Sequence, residues 1–177
     1  MTKLTADFLK SEISGHLVQM FTRNINQKEI EPVLKRYDLE PVDPDSWYPQ
    51  QLLLNVFKDI YEGKTRVSDN LVAIGLKGSQ TTIYPPEITS VSGALHALPI
   101  ILEMNHRHIP DVRKEYQVTD LGDHHLRITN RSPYPNDALY GFIWGVIKHF
   151  KSPATHFTVT VVDNRVEDAT FDVIWQD

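Results

Sequence analysis

Histidine is the one chemically versatile residue type that this sequence concentrates. It has eight, and three of them, His96, His106 and His108, lie close together. Two histidines at i and i+2 can share a metal ion on a strand, where alternate side chains point the same way. On a helix the same spacing turns them about 200° apart, and one ion cannot reach both. The residues before them carry a helical pattern, so the second geometry is expected. On that helix His108 falls on the arc of Ile101 and Met104, and His106 falls with Glu103 and Pro99. The phase predicts a solvated His106 and an inward His108. There His108 is either a hydrogen-bonded core histidine or a ligand to something held in the apolar interior. His124-His125 sits beside a turn signal and reads as solvent-facing, without the further ligands that a metal site needs nearby.

Other chemistry finds little footing. There is no cysteine, which excludes disulfides, thiol nucleophiles and thiolate metal sites. No Gly-x-Ser-x-Gly nucleophile turn or phosphate-binding glycine loop is present. Gly75-Leu76-Lys77-Gly78-Ser79 lies late in a predicted helix and reads as its C-terminus. No two carboxylates pair in an apolar setting. The expectation is no catalytic residue, no metal and no enzyme.

The elements that must position these groups follow from length, charge and pattern. The 177 residues, 41% hydrophobic and 23% charged, suit one globular domain spanning 1–177. The net charge of −5 argues against a nucleic-acid partner. The opening residues Met1 to Asp7 lack a signal-peptide pattern. Nor does any apolar stretch approach the roughly 18–20 residues that span a bilayer. A cytoplasmic protein with no membrane insertion is expected.

The first half, 1–109, reads as five helices. The first runs from about Ala6 to Thr22 with Leu9, Ile13, Leu17 and Met20–Phe21 inward. A second covers Gln27 to Tyr37, with Pro32 tolerable only near its first turn. A third is capped by Asp45 or Ser46, has Pro49 in its first turn and ends at Gly63. A fourth is capped by Ser68. A fifth runs from about Ser90 to Ile109, bent at Pro99. The second half, 110–177, alternates instead. Tyr116 and Val118 mark a strand, Gly122-Asp123 a hairpin turn, and Leu126 and Ile128 the return strand. A sixth helix opens at Pro135 or Asn136 and runs to Phe150. Two strands follow, over Phe157–Val161 and Ala169–Trp175, joined by a polar turn at 163–168. The fold class is α+β, a helical half packed on an antiparallel sheet in strand–strand–helix–strand–strand order.

The sixth helix carries Gly141 and Gly145 four apart on one face. Each costs about 1 kcal/mol against alanine, so another backbone or a flat ligand should come close there.

This order resembles a superfamily that includes the haem-nitric-oxide/oxygen-binding (H-NOX) sensor domains, the four-vinyl-reductase-type ligand-binding domains and the TRAPP trafficking subunits. Three features carry the resemblance: the Pro-bent helix Leu98–His108 with a histidine near its end, the hairpin leading to Asn130-Arg131-Ser132-Pro133, and the Tyr140-Gly141-Phe142-Ile143-Trp144-Gly145 helix before two final strands. The resemblance implies a small-molecule sensor holding an apolar or aromatic ligand between the two halves. The ligand would shift one half against the other, and an effector protein in trans would read the shift. The implied pocket comprises His108, Ile101, Met104, Leu102, Phe142 and Gly145. Haem is the one cofactor that the resemblance offers, with His108 as its iron ligand. The family's Tyr-x-Ser-x-Arg signature, which holds the haem propionates, is matched only at Ser132. Asn130 and Tyr134 occupy its other two positions, leaving Arg131 or Arg127 as substitutes. This departure argues against haem. Two alternatives remain: a ligand-free assembly module resembling TRAPP subunits, and a metal-dependent enzyme using His108.

Overall fold

A computed structural model describes residues 4–6, 10–65, 70–165 and 168–176. It opens with a short strand, β1 (Glu12–Ser14), followed by α1 (Gly15–Thr22) and α2 (Gln27–Arg36). Next come β2 (Trp47–Pro49), α3 (Gln50–Tyr61), α4 (Leu71–Thr81), α5 (Val91–His96) and α6 (Leu98–Met104). After β3 (His106–Arg107) and a 3-10 turn, the second half contains β4 (Tyr116–Gly122), β5 (His125–Asn130), α7 (Asn136–Phe150), β6 (His156–Asn164) and β7 (Ala169–Gln176). Among the described residues, no helix is long and apolar enough to cross a membrane.

The sheet half matches the expected order. Its four strands lie in the order β4-β5-β7-β6, every neighbouring pair antiparallel. The hairpin turn falls on Asp123-His124 and not on Gly122-Asp123, with His124 in the left-handed region. Leu126, Ile128, Phe171 and Val173 face α7 and close one core with Ile143, Val146 and Ile147. A second core lies among the helices around Ile13, Val18, Ile30, Leu53 and Phe57. Met20 and Tyr116 pack against both cores.

The helical half departs from the expected pattern in instructive places. The segment expected as the start of the first helix is instead β1, the centre of a small sheet ordered β2-β1-β3. Leu9 lies outside the described residues. Ser14, whose hydroxyl accepts from the Leu17 N–H at 3.1 Å, caps a helix that begins only at Gly15. Pro32 sits inside α2 beyond its first turn, where the inward stripe of Ile30, Val33 and Leu34 holds the helix. Pro49 is the cap of α3 and not part of its first turn. Asn70 caps α4, its side chain accepting from Ala73 N at 2.8 Å; the expected cap, Ser68, lies outside the described residues. The long fifth helix is two, broken at Ala97, with Pro99 in the first turn of α6.

The end of α6 matters most. The helix stops at Met104 and Asn105 caps it. Asn105 Nδ2 donates to Ile101 O at 2.8 Å, and Asn105 Oδ1 accepts from Ser14 Oγ at 2.6 Å. From there the chain is extended, with His106 opposite Ile13 and Arg107 opposite Glu12.

Candidate functional site

Strand alternation sends His106 inward beside Ile13 and Arg107 outward to Glu12. His108 then takes a left-handed backbone, φ 61°, which turns it to solvent. Its side chain is 59% exposed and its Nδ1 lies 3.2 Å from Glu12 Oε2, whereas His106 is 6% exposed. The expected roles of the two histidines are therefore reversed. The helical phase that made His108 the inward residue does not extend past Met104.

His106 is held at both nitrogens. Nδ1 lies 2.7 Å from Leu102 O, a group that can only accept, so Nδ1 carries the proton. Nε2 is then the acceptor, and the Tyr134 hydroxyl donates to it at 2.6 Å. Gln50 Nε2 donates to the same hydroxyl oxygen at 3.2 Å. All three side chains are buried. Burial holds the imidazole neutral, its pKa pushed down to about 4, with the hydrogen bond to Leu102 acting the other way. Burial pushes the Tyr134 phenol well above its ordinary value.

Tyr134 is aimed by the turn before α7. Asn130 Oδ1 accepts from Ser132 N at 2.9 Å and from Ser132 Oγ at 2.7 Å, while Asn130 Nδ2 donates to Asn136 Oδ1 at 2.9 Å. The turn closes on itself and presents Tyr134 to the helical core. There the tyrosine ring stacks with Phe21 at 6.3 Å and lies edge-on to Phe57 at 6.4 Å.

A cavity of about 50 Å3 opens where the two cores meet, with His106, Tyr134 and Tyr116 on its wall. The other described residues lining it are apolar except Asn105, and none carries a full charge. Of the expected pocket residues, Ile101, Leu102 and Phe142 line it. Met104 does not. It is 62% exposed and lines a wider groove of about 640 Å3 outside, with His16, Arg23 and Trp47. Leu17, Met20, Ile101 and Asn105 line both spaces. Gly145 packs against α4, where an added Cβ would meet Ser79 Oγ at 1.8 Å. Helical phase misses His106, and with it Tyr134 and Gln50, because it places that histidine on the surface. Asn105, a residue type suited to ending a helix, is the available signal. Among the described residues, no group of three or more His, Cys, Asp or Glu is placed to hold a metal ion.

No protein-family model matches the sequence, and no curated protein matches it. Solved structures do. An H-NOX protein from S. oneidensis in the Fe(II)NO ligation state superposes with a TM-score of 0.67 at 10% identity, over 93% of this chain and 100% of that one. An oxygen-binding H-NOX domain related to soluble guanylate cyclases gives 0.65 at 12% identity, over 92% and 93%. A doubly substituted Tt H-NOX gives 0.63 at 14% identity, over 93% and 94%. The chain has an H-NOX-like fold.

Haem is the group that such a fold implies, and the residues here do not fit it. The one histidine on the described cavity wall has both nitrogens engaged within the chain. The free space is about 50 Å3, against roughly 300–1,000 Å3 for ordinary ligand pockets. Neither expected arginine lines it. Arg127 grips Asp172 through two bonds of 2.7 and 2.8 Å, and Arg131 reaches Asp168 at 3.1 Å and Gln117 at 3.2 Å.

Proposed function

We propose that the chain is a small-molecule-binding sensor domain, without haem and without catalysis, that signals to a separate effector protein. One observation supports this reading above the rest: among the described residues, Leu17, Met20, Ile101 and Asn105 line both the cavity at the seam of the two cores and the outer groove. Met20 is flexible and touches both cores. Its displacement joins the two spaces into one site of ordinary ligand-pocket size. The ligand is an apolar or aromatic molecule, and Asn105 is the polar residue that faces both spaces. Seating it moves α1 and α6 against α7, a population shift that a partner can read. His106 and Tyr134 spend their polar atoms on each other, which favours a binding wall over a catalytic pair.

Indole is a suitable probe. Titrated into 15N-labelled protein, it is expected to give saturable shifts confined to Leu17, Met20, Ile101, Leu102 and Phe142. Ile101→Trp, which enlarges a residue lining both spaces, should abolish them. Shifts scattered over the surface, or a response unchanged in Ile101→Trp, would count against the site.

A further inference from the structure

We infer that Tyr134 is the residue that keeps His106 from serving as an iron ligand, and so sets this fold apart as one that excludes haem. The inference deepens the haem-free part of that reading and rests on the H-NOX-like fold and the geometry around His106. Nδ1 is committed to Leu102 O at the end of α6, so Nε2 holds the only lone pair that could bind a metal. The Tyr134 hydroxyl stands 2.6 Å from it, with Gln50 fixing that hydroxyl from behind. An iron atom would need the position that the hydroxyl proton takes.

Space gives the second argument. The Tyr134 ring closes a cluster with Phe21 and Phe57, whose own rings meet edge to face at 5.0 Å. The ring also lies edge-on to the imidazole, 5.6 Å between centroids. Beside this cluster the cavity is only about 50 Å3, enough for one to a few waters. Charge gives the third. A macrocycle bearing two carboxylates would meet no cation among the described residues of this inner wall, since Arg23 lines only the outer groove. The backbone turn at Asn130 and Ser132 satisfies itself and offers Tyr134 inward in place of a base. The ligand group that such an inner wall admits is uncharged.

The test is a hemin titration followed in the Soret region, on the wild type, on Tyr134→Gly and on each with His106→Ala added. Circular dichroism and the melting midpoint report the fold of every variant. The wild type is expected to give the same spectrum as its His106→Ala variant. Tyr134→Gly frees Nε2 and opens space, and should bind hemin about 10-fold tighter or more, the scale on which groups behind a metal ligand act. That gain should vanish when His106→Ala is added. A stoichiometric band in the wild type, whether it depends on His106 or on Tyr134, would overturn the proposal. So would a folded Tyr134→Gly that binds no better than the wild type. If the glycine variant does not fold, the 15N ring shifts of wild-type His106 decide. An Nδ1–H tautomer supports the proposal, and an Nε2–H tautomer sinks it. A hemin band in the wild type would overturn the haem-free clause of the sensor reading as well, whereas the indole experiment tests small-molecule binding by itself, so the two failures are told apart.

Discussion

Gly141→Ala is expected to lower the stability of the folded chain by about 2–3 kcal/mol, although helix propensity alone would raise it by about 1 kcal/mol. The packing of α4 on α7 decides the sign. A Cβ at Gly141 would stand 2.0 Å from Val72 O and 3.0 Å from Leu76 N. The contact is reciprocal, since a Cβ at Gly75 would stand 1.9 Å from Ala138 O. These are backbone atoms held in helical hydrogen bonds, and they cannot swing aside as a side chain can. Only separation of the two helices makes room, at the cost of the contacts on either side. At Gly145 the nearest atom is the Ser79 hydroxyl, which can rotate, and the backbone contact, Leu76 O, is looser at 2.8 Å, so Gly145→Ala should be milder, while Gly145→Leu should cost about 1–3 kcal/mol. Urea unfolding measures all three, read from the midpoint at constant slope. A Gly141→Ala protein as stable as the wild type would mean that the helices lie further apart than described. The same packing bears on function. It ties α4 of the helical half to α7 of the sheet half through three glycines, so under the proposed function the movement would fall to α1 and α6.

How much of this is legible in the residues depends on whether the cause is local. The α7 stripe, its glycine pair and the alternation of Ala169, Phe171, Val173 and Trp175 are local patterns, and each element forms where its pattern lies. Gly75 reads from the sequence as the close of a helix, because the partner that explains it, Ala138, lies far along the chain. The small sheet is not legible at all. Its strands are two or three residues each, and their pairing joins Glu12 to both Pro49 and Arg107. A window around either segment reports helical periodicity, since too few residues depart from it to register. The histidine site inherits that blindness. Its cavity residues on α6 and α7, Ile101, Leu102 and Phe142, are among those that the family resemblance implies, while the helical phase that turns Ile101 inward wrongly takes Met104 with it. His106 and His108 exchange places because their orientation is set by β3 and by the left-handed turn at His108.

The acid stability of the chain should carry the signature of His106. The folded imidazole has its pKa lowered to about 4 from an ordinary 6.5, chiefly by burial. Between those two values the unfolded chain binds a proton that the folded chain refuses. The contribution of this residue is therefore whole above pH 6.5 and is lost as pH falls from 6.5 to 4, by about 3 kcal/mol at most. The chemistry at the site agrees. A protonated His106 would present an Nε2–H to the Tyr134 oxygen, which already accepts from Gln50, and the tyrosine proton would lose its acceptor. His106→Gln is the control, because it fills much of the space and cannot titrate. At about pH 7.5 it should be less stable than the wild type by about 1–3 kcal/mol, the cost of imperfectly paired buried groups. At about pH 4.5, near the folded-state value, the gap should close or reverse. Carboxylates such as Asp172 and Glu12, held low by their bonds to Arg127 and Arg107, also weaken the fold in acid. They do so equally in both proteins and cancel in the difference. A gap that stays constant across that range would show that His106 is not buried as a neutral acceptor. The hydrogen bond from Tyr134, on which the exclusion of haem depends, would then fall with it.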